Sequence, residues 1–299
     1  MKITVTGGAG FIGSNLVDEL IRQGHKDVHI IDNLSTGKKE NLNPKAKFHN
    51  LDIVDLEKIR PVFKRTDIVF HLAAQPRIQP SIKDPKSSHD ANLTGTLHVL
   101  LAAKEAGVKK IIYSASSSAY GIQKSLPLRE NMIANPLNPY AMQKYMGEMY
   151  CKLFNHLYDL PVVCLRYFNV YGPRQTCEGA YATVIGIFLR QKKAGQPLTI
   201  VPDGKQRRDF THVRDVVSAN LVAMRSDKVG KAEVINIGSG ENYSIIEVAK
   251  MIGSKTKIIE PRKGEARLTL ADISLAKKLL GWKPTVRLVE GIEELSLVE

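Results

Sequence analysis

The segment Thr6-Gly7-Gly8-Ala9-Gly10-Phe11-Ile12-Gly13 stands between a short β-type run, Lys2-Ile3-Thr4-Val5-Thr6, and a stretch whose apolar residues Phe11, Ile12, Leu16, Leu20 and Ile21 suit a helix. A glycine-rich turn between strand and helix is what a dinucleotide fold requires. Gly7 permits the tight turn, Gly10 lets a pyrophosphate approach the backbone, and Gly13 allows close helix–strand packing. The spacing is G-x-x-G-x-x-G, one step from that of simple dehydrogenases. A second run, Val28-His29-Ile30-Ile31-Asp32, ends in an acid about twenty residues beyond the glycines. A carboxylate there accepts hydrogen bonds from an adenosine ribose and repels a 2′-phosphate, which favours NAD over NADP. Lys38 and Lys39 read as part of a solvated loop.

The first half alternates strands, near 2–6, 28–32, 47–51, 67–72 and 109–114, with helical stretches, including Leu93 to Ala106 closed by Gly107. Pro161 to Tyr167 is a further strand. The pattern predicts an α/β fold, a Rossmann-type doubly wound parallel sheet with a smaller mixed α/β substrate domain. Beyond Phe168, glycines and prolines break the chain into shorter elements, with helices near 179–194 and 213–226, and Val234-Ile235-Asn236-Ile237 reads as a strand rejoining the sheet. The expected division is an NAD-binding domain over 1–167, with 213–237 returning to it. Residues 168–212 and 238–299 then form the second, smaller domain.

At 299 residues with 43% apolar content the chain can bury a large core. Cys151, Cys164 and Cys177 are too widely spaced for a C-x-x-C site, and the eight histidines are scattered, so no metal is expected. No apolar run approaches the roughly 18 residues of a membrane span, and no signal segment precedes the first strand, so a cytoplasmic protein is expected. The net charge of +13 is spread along the chain without a basic tail. That argues against nucleic acid as a partner and suits capture of a dianionic substrate.

Tyr140 and Lys144 are four apart and share a helix face. A lysine ammonium near a phenol, with a cationic nicotinamide beside both, favours the phenolate, and the phenol becomes a general base nearer neutrality. The pair points to redox chemistry on an alcohol.

Across essentially its whole length the chain resembles the extended short-chain dehydrogenase/reductases and, among them, the NAD-dependent nucleotide-sugar 4-epimerases. The resemblance rests on the glycine turn, Asp32-Asn33-Leu34-Ser35-Thr36-Gly37, His71-Leu72-Ala73-Ala74-Gln75, Ser114-Ala115-Ser116-Ser117-Ser118-Ala119-Tyr120-Gly121, and Tyr140 with Lys144. Arg166-Tyr167-Phe168-Asn169-Val170-Tyr171-Gly172-Pro173-Arg174 and Arg208-Asp209-Phe210-Thr211-His212-Val213 complete it. It implies that Tyr140 takes the proton from the sugar 4-hydroxyl during a transient oxidation to a 4-keto sugar. Ser116 would hydrogen-bond the same oxygen, and Lys144 would bind the nicotinamide ribose. NAD would be held by Gly7, Gly10, Phe11, Ile12, Gly13, Asp32, Asn33, Ser35, Thr36 and Gly37, then by Asp52 and Ile53 at the adenine. Leu72, Ala73, Ala74, Gln75, Asn92, Ser114, Tyr140, Lys144, Tyr167 and Val170 would complete the cofactor site. A UDP-sugar would meet Ser116, Ser117, Tyr140, Asn169, Arg208, Arg262 and Thr269, with Arg207 and Arg267 competing for the diphosphate role.

Related 4,6-dehydratases typically carry Thr-Asp-Glu where this chain has Ser116-Ser117-Ser118, and serines cannot serve as that acid and base. Decarboxylation of UDP-glucuronate stays open as an alternative, and so does a non-catalytic NAD-binding regulator. Many relatives place a lysine where Pro76 and Arg77 stand here, so that lysine's role is not carried over. Thr269 aligns with a position where a tyrosine restricts some epimerases to non-acetylated sugars. The smaller residue leaves room for UDP-GlcNAc and UDP-GalNAc beside UDP-glucose and UDP-galactose. The family pairs the helices near 93–106 and 141–158 into a homodimer; Met142, Met146, Met149 and Leu153 on the second helix fit that contact or ordinary core packing equally.

Overall fold

The computed structural model describes residues 1–179, 182–260, 264 and 266–298. Six strands come in order: β1 Lys2–Thr6, β2 Asp27–Asp32, β3 Lys47–Asn50, β4 Ile68–His71, β5 Lys110–Ser116 and β6 Val162–Tyr167. With the later Lys231–Ile237 strand they form one seven-stranded sheet, ordered Lys231–Ile237, β6, β5, β4, β1, β2, β3, and every pairing is parallel. The order reverses between β1 and β4, which leaves a crevice at their carboxyl ends.

Side chains alternate across each strand, and the two faces carry separate cores. Ile30, Phe70, Ile112, Val163 and Leu165 face helix α1, Phe11–Arg22, and helix Val213–Arg225. Their neighbours Ile31, Val69, Ile111, Tyr113, Val162 and Cys164 face the opposite way, against Ile59, Val99, Leu100, Cys151 and Phe154 of the helices on that side. A strand buried on both faces reads as a continuous apolar run, as β4 does.

The helix expected from Leu93 begins earlier. Asp84 caps it by accepting from Ser87 N at 3.0 Å, Pro85 takes the first turn, and Asp90–Thr94 widens into a π-helical turn before Gly95–Glu105 continues. The Asp84-Pro85 start signal lay upstream of the apolar periodicity that suggested Leu93. The long helix Pro139–Tyr158 carries Tyr140 and Lys144; Asn138 caps it through Ala141 N at 2.9 Å.

A third core joins helices Val184–Lys193, Ile245–Ile252 and Leu288–Val298 through Phe188, Leu189, Val248, Ile252, Ile292 and Leu295. Segment 274–282 instead packs on the sheet, with Ala276, Leu280 and Trp282 in the core beside helix Val213–Arg225. Asp215 on that helix accepts from Thr285 N, Thr285 Oγ1 and Val286 N at 2.9, 2.8 and 3.1 Å, clasping the following chain to it. No helix among the described residues is long and apolar enough to cross a membrane.

Candidate active site

A cavity of about 1020 Å³ runs from the glycine turn and Asp32, past Ser116, Tyr140 and Lys144, to Asn169, Arg208 and Thr269. At the glycine-turn end the glycines are needed for space. A Cβ on Gly7 would lie 2.6 Å from Ala73 N, and one on Gly13 would lie 2.1 Å from Gly7 O, whereas Gly10 has only Gly7 O nearby, at 3.2 Å. Gly7 also adopts a left-handed backbone, φ 76°. The turn therefore presents bare backbone to the cavity at the amino end of α1, a fit for a diphosphate.

Asp32 is buried, and burial raises its carboxyl pKa while hydrogen bonds from Leu34 N and Ala9 N, at 2.9 and 3.0 Å, pull it back. Asn33 donates to Asp52 Oδ2 at 2.8 Å, linking the ends of β2 and β3 on the cavity wall with Ile53. Phe11, Ile12, Ser35, Thr36, Leu72, Ala73, Ala74, Gln75, Ser114, Ser117, Tyr167 and Val170 also line it.

Two expected cofactor contacts do not lie on the wall. Gly37 sits behind Asp32, where its Cβ would come 2.8 Å from Oδ1. Asn92 is buried and grips the Gln75 backbone, accepting from its N at 2.7 Å and donating to its O at 3.1 Å. It thereby holds the loop after β4. Arg262 lies outside the described residues.

Burial raises the Tyr140 phenol above its ordinary pKa, while the hydrogen bond with Ser116 and the Arg77 charge pull it down. Lys144 is buried and donates to Ser114 O at 2.8 Å. Burial lowers its pKa to about 8, partly opposed by Cys151 and Glu148. Ser116 holds the turn after β5, accepting from Ser118 N at 3.2 Å and donating to Ser118 Oγ at 3.1 Å. Both the turn-forming and the substrate-facing readings of this serine are therefore compatible with its place.

At the far end, Asn169 Nδ2 donates to Asp209 O at 2.9 Å and to Thr269 Oγ1 at 3.4 Å, and Thr269 Oγ1 also accepts from Asp209 N at 3.2 Å. Arg208 reaches the cavity with Nη1 donating to Arg267 O at 3.0 Å. Arg207 instead bonds Asn242 Oδ1 at 2.8 Å and Glu247 at 3.0 Å, and Arg267 pairs with Asp203. Neither competitor lines the cavity.

Three contributors went unread in the sequence. Asp209 is buried and accepts from Ser239 N, Ser239 Oγ, Gly240 N and Ala271 N at 2.7, 2.7, 3.1 and 3.0 Å, so it gathers two later segments around Arg208. Its place directly after Arg208 was the available signal. Arg77 lines the cavity with φ 88° and ψ 146°, a backbone region that side chains rarely enter. His71 lies between Thr6 Oγ1 at 2.7 Å and Thr96 Oγ1 at 2.9 Å, and burial lowers its pKa to about 3. Thr96 Oγ1 donates to Asn92 O at 2.6 Å, so His71 Nε2 carries the proton toward Thr96 and Nδ1 accepts from Thr6. That neutral imidazole ties β1 and β4 to the first turn of helix Gly95–Glu105.

The pattern of the NAD dependent epimerase/dehydratase family matches residues 3–238. The structure of a UDP-glucose 4-epimerase from Thermotoga maritima with UDP-glucose is 41% identical, with a TM-score of 0.95, over 99% of this chain and 98% of that one. A UDP-N-acetylglucosamine 4-epimerase from Methanobrevibacter ruminantium, in complex with UDP-N-acetylmuramic acid, is 36% identical with a TM-score of 0.92, over 100% and 99%. A UDP-glucuronic acid 4-epimerase from Bacillus cereus, in complex with UDP-glucuronic acid and NAD, is 36% identical with a TM-score of 0.90, over 98% and 97%. The chain belongs to the NAD dependent epimerase/dehydratase family, as an NAD-dependent isomerase on the Rossmann-type sheet of the extended short-chain dehydrogenase/reductases.

Proposed function

We propose that this protein is a UDP-hexose 4-epimerase that interconverts UDP-glucose with UDP-galactose and also accepts the N-acetylated pair. The supporting observation is the convergence of Ser116, Tyr140 and Lys144 midway along one cavity, between the glycine turn and the Asn169, Arg208 and Thr269 end. The first end suits NAD, which the bare backbone of Gly7, Gly10 and Gly13 would hold, with Asp32 available to its ribose and Asp52 and Ile53 to its adenine. When bound, it supplies a reversible two-electron oxidation at the sugar carbon bearing the 4-hydroxyl.

The chain's own residues do the rest. Tyr140 takes the hydroxyl proton, Ser116 holds the same oxygen, and the Lys144 ammonium stabilises the phenolate. Arg208 provides a cation for the diphosphate. After the 4-keto sugar turns over in the cavity, Tyr140 returns the proton on reduction of its other face. Ser117 and Ser118 offer no carboxylate for eliminating water. In this reading residues 1–167 with 213–237 bind NAD, while 168–212 and 238–299 bind the sugar nucleotide.

The protein would act as a cytoplasmic homodimer, in keeping with its free thiols. Met142, Met146, Leu153 and Leu157 form an exposed apolar stripe on helix Pro139–Tyr158, with Leu157 at 55% exposure, so core packing does not account for them. A Met146→Glu variant that sediments as wild type would remove the dimer from the proposal.

The first test incubates the purified protein with UDP-galactose and with UDP-N-acetylglucosamine, following the anomeric NMR signals. Interconversion without net NADH is expected for both. Silence on both, with turnover of UDP-glucuronate, would replace the hexose reading by a uronate one.

A further inference from the structure

Tyr140, Lys144 and Glu148 lie on successive turns of one helix face, and Glu148 is the buried continuation of the reacting pair. Its carboxylate receives the Arg166 guanidinium in a fork, Nε to Oε1 at 2.8 Å and Nη2 to Oε2 at 2.7 Å, with side-chain exposures of 0% for Glu148 and 4% for Arg166. Arg166 stands on β6, where it pairs with Ala115 just as the next residue, Tyr167, pairs with Ser116. The guanidinium also lies 4.5 Å from the ring centroid of Tyr120. Tyr120 ends the Ser117–Tyr120 turn that starts directly after Ser116, and its hydroxyl donates to Asn236 Oδ1 at 2.7 Å on the edge strand. One side chain thus spans from the helix bearing Tyr140 and Lys144 to the turn bearing Ser116.

A buried ion pair gives weak support to stability, because desolvating two charges cancels much of their attraction, and apolar replacements of similar volume are often tolerated. The arginine fork does supply direction: two parallel hydrogen bonds and a flat face for an aromatic ring. We propose that Glu148 and Arg166, with Tyr120 against the guanidinium, are positioning residues that set the separation of Tyr140 from Ser116 for proton transfer. The proposal rests on the epimerase reading of that pair. A displacement of about 1 Å between reacting groups costs up to about 100-fold in rate.

The test uses the NAD-loaded enzyme with whichever UDP-sugar the wild type interconverts; a wild type silent on all would overturn the epimerase reading and this inference with it, whereas the variants below test the inference alone. The double variant Glu148→Met/Arg166→Met is expected to keep the wild-type melting temperature within a few degrees and KM within about twofold, while kcat falls roughly 10- to 100-fold. Arg166→Lys keeps the charge without the fork, and is expected to lose kcat similarly. Wild-type kcat in the double variant overturns the proposal. So does full rescue by Arg166→Lys, which would make the contribution one of charge alone. Failure of the double variant to fold also overturns it, since the pair would then be a stability element.

Discussion

Tyr113 grips Lys144 at both ends: its hydroxyl donates to the lysine backbone carbonyl at 3.3 Å, and the lysine ammonium lies 5.2 Å from its ring centroid. With Ser114 O accepting from the ammonium at 2.8 Å, the lysine is held in a buried site one helical turn from Tyr140. Burial lowers its pKa from 10.5 to about 8, so the folded chain releases this proton more readily than the unfolded chain. Between pH 8 and 10.5 the unfolded state binds more protons, and stability rises with pH through that window. Below pH 8 the penalty is complete, on the order of 3 kcal/mol at about 1.4 kcal/mol per tenfold change in proton affinity. Lys144→Met should therefore be more stable than wild type at pH 7, with the gain shrinking by pH 10, while turnover collapses. Urea titrations at the two pH values check this; a variant less stable at pH 7 contradicts it.

Tyr140→Phe removes the proton acceptor but little of the packing. Turnover should fall by about 10²- to 10⁴-fold, the usual range for a lost general base, while NAD affinity falls by no more than the loss of one hydrogen bond, about tenfold. Calorimetric titration of NAD alongside the NMR rate distinguishes this from a folding defect, which would weaken both.

Gly147 is where the Tyr113 hydroxyl meets the catalytic helix: a Cβ there would lie 2.1 Å from Tyr113 Oη. Gly147→Ala must push the helix or the ring aside, at a cost of about 1–3 kcal/mol, although alanine favours helix. Tyr113→Phe/Gly147→Ala should recover part of that loss. Equal melting temperatures for Gly147→Ala and wild type would contradict the clash.

The sheet and the glycine turn at one end of the cavity were legible because their signals are local. A strand, three glycines and a helix follow one another in sequence, and Asp32 ends the next strand. The Tyr140/Lys144 spacing is equally local. Asn92 was read as a cofactor contact, and its grip on the Gln75 backbone was not legible, because no sequence pattern announces the Asp90–Thr94 π-turn. The second half depends on distant pairings, such as Arg207–Arg208 antiparallel to Tyr243–Ser244 and Leu198–Ile200 parallel to Thr256–Ile258. Such two- and three-residue strands lack enough length to show a period. The left-handed Arg77 was unreadable for a related reason, since arginine is not a residue that advertises that backbone.

Thr269 gives the test of sugar selection. It lines the cavity half-buried, and its hydroxyl accepts from Asp209 N and Asn169 Nδ2, so its position is fixed by the groups beside Arg208. A tyrosine there would fill space at this end of the cavity, leave Asp209 N without its acceptor, and leave Asn169 Nδ2 with Asp209 O alone. A change in rate could thus arise from bulk or from lost hydrogen bonds, the latter worth about 1 kcal/mol each. Thr269→Val keeps the volume and loses only the acceptor, and should slow both sugar pairs alike by less than about tenfold. Thr269→Tyr should match Thr269→Val on UDP-galactose but lose N-acetyl turnover by a further tenfold or more. Parallel kcat/KM measurements on UDP-galactose and UDP-N-acetylglucosamine decide the matter. If Thr269→Tyr leaves N-acetyl turnover unchanged, the sugar's 2-position does not face this residue.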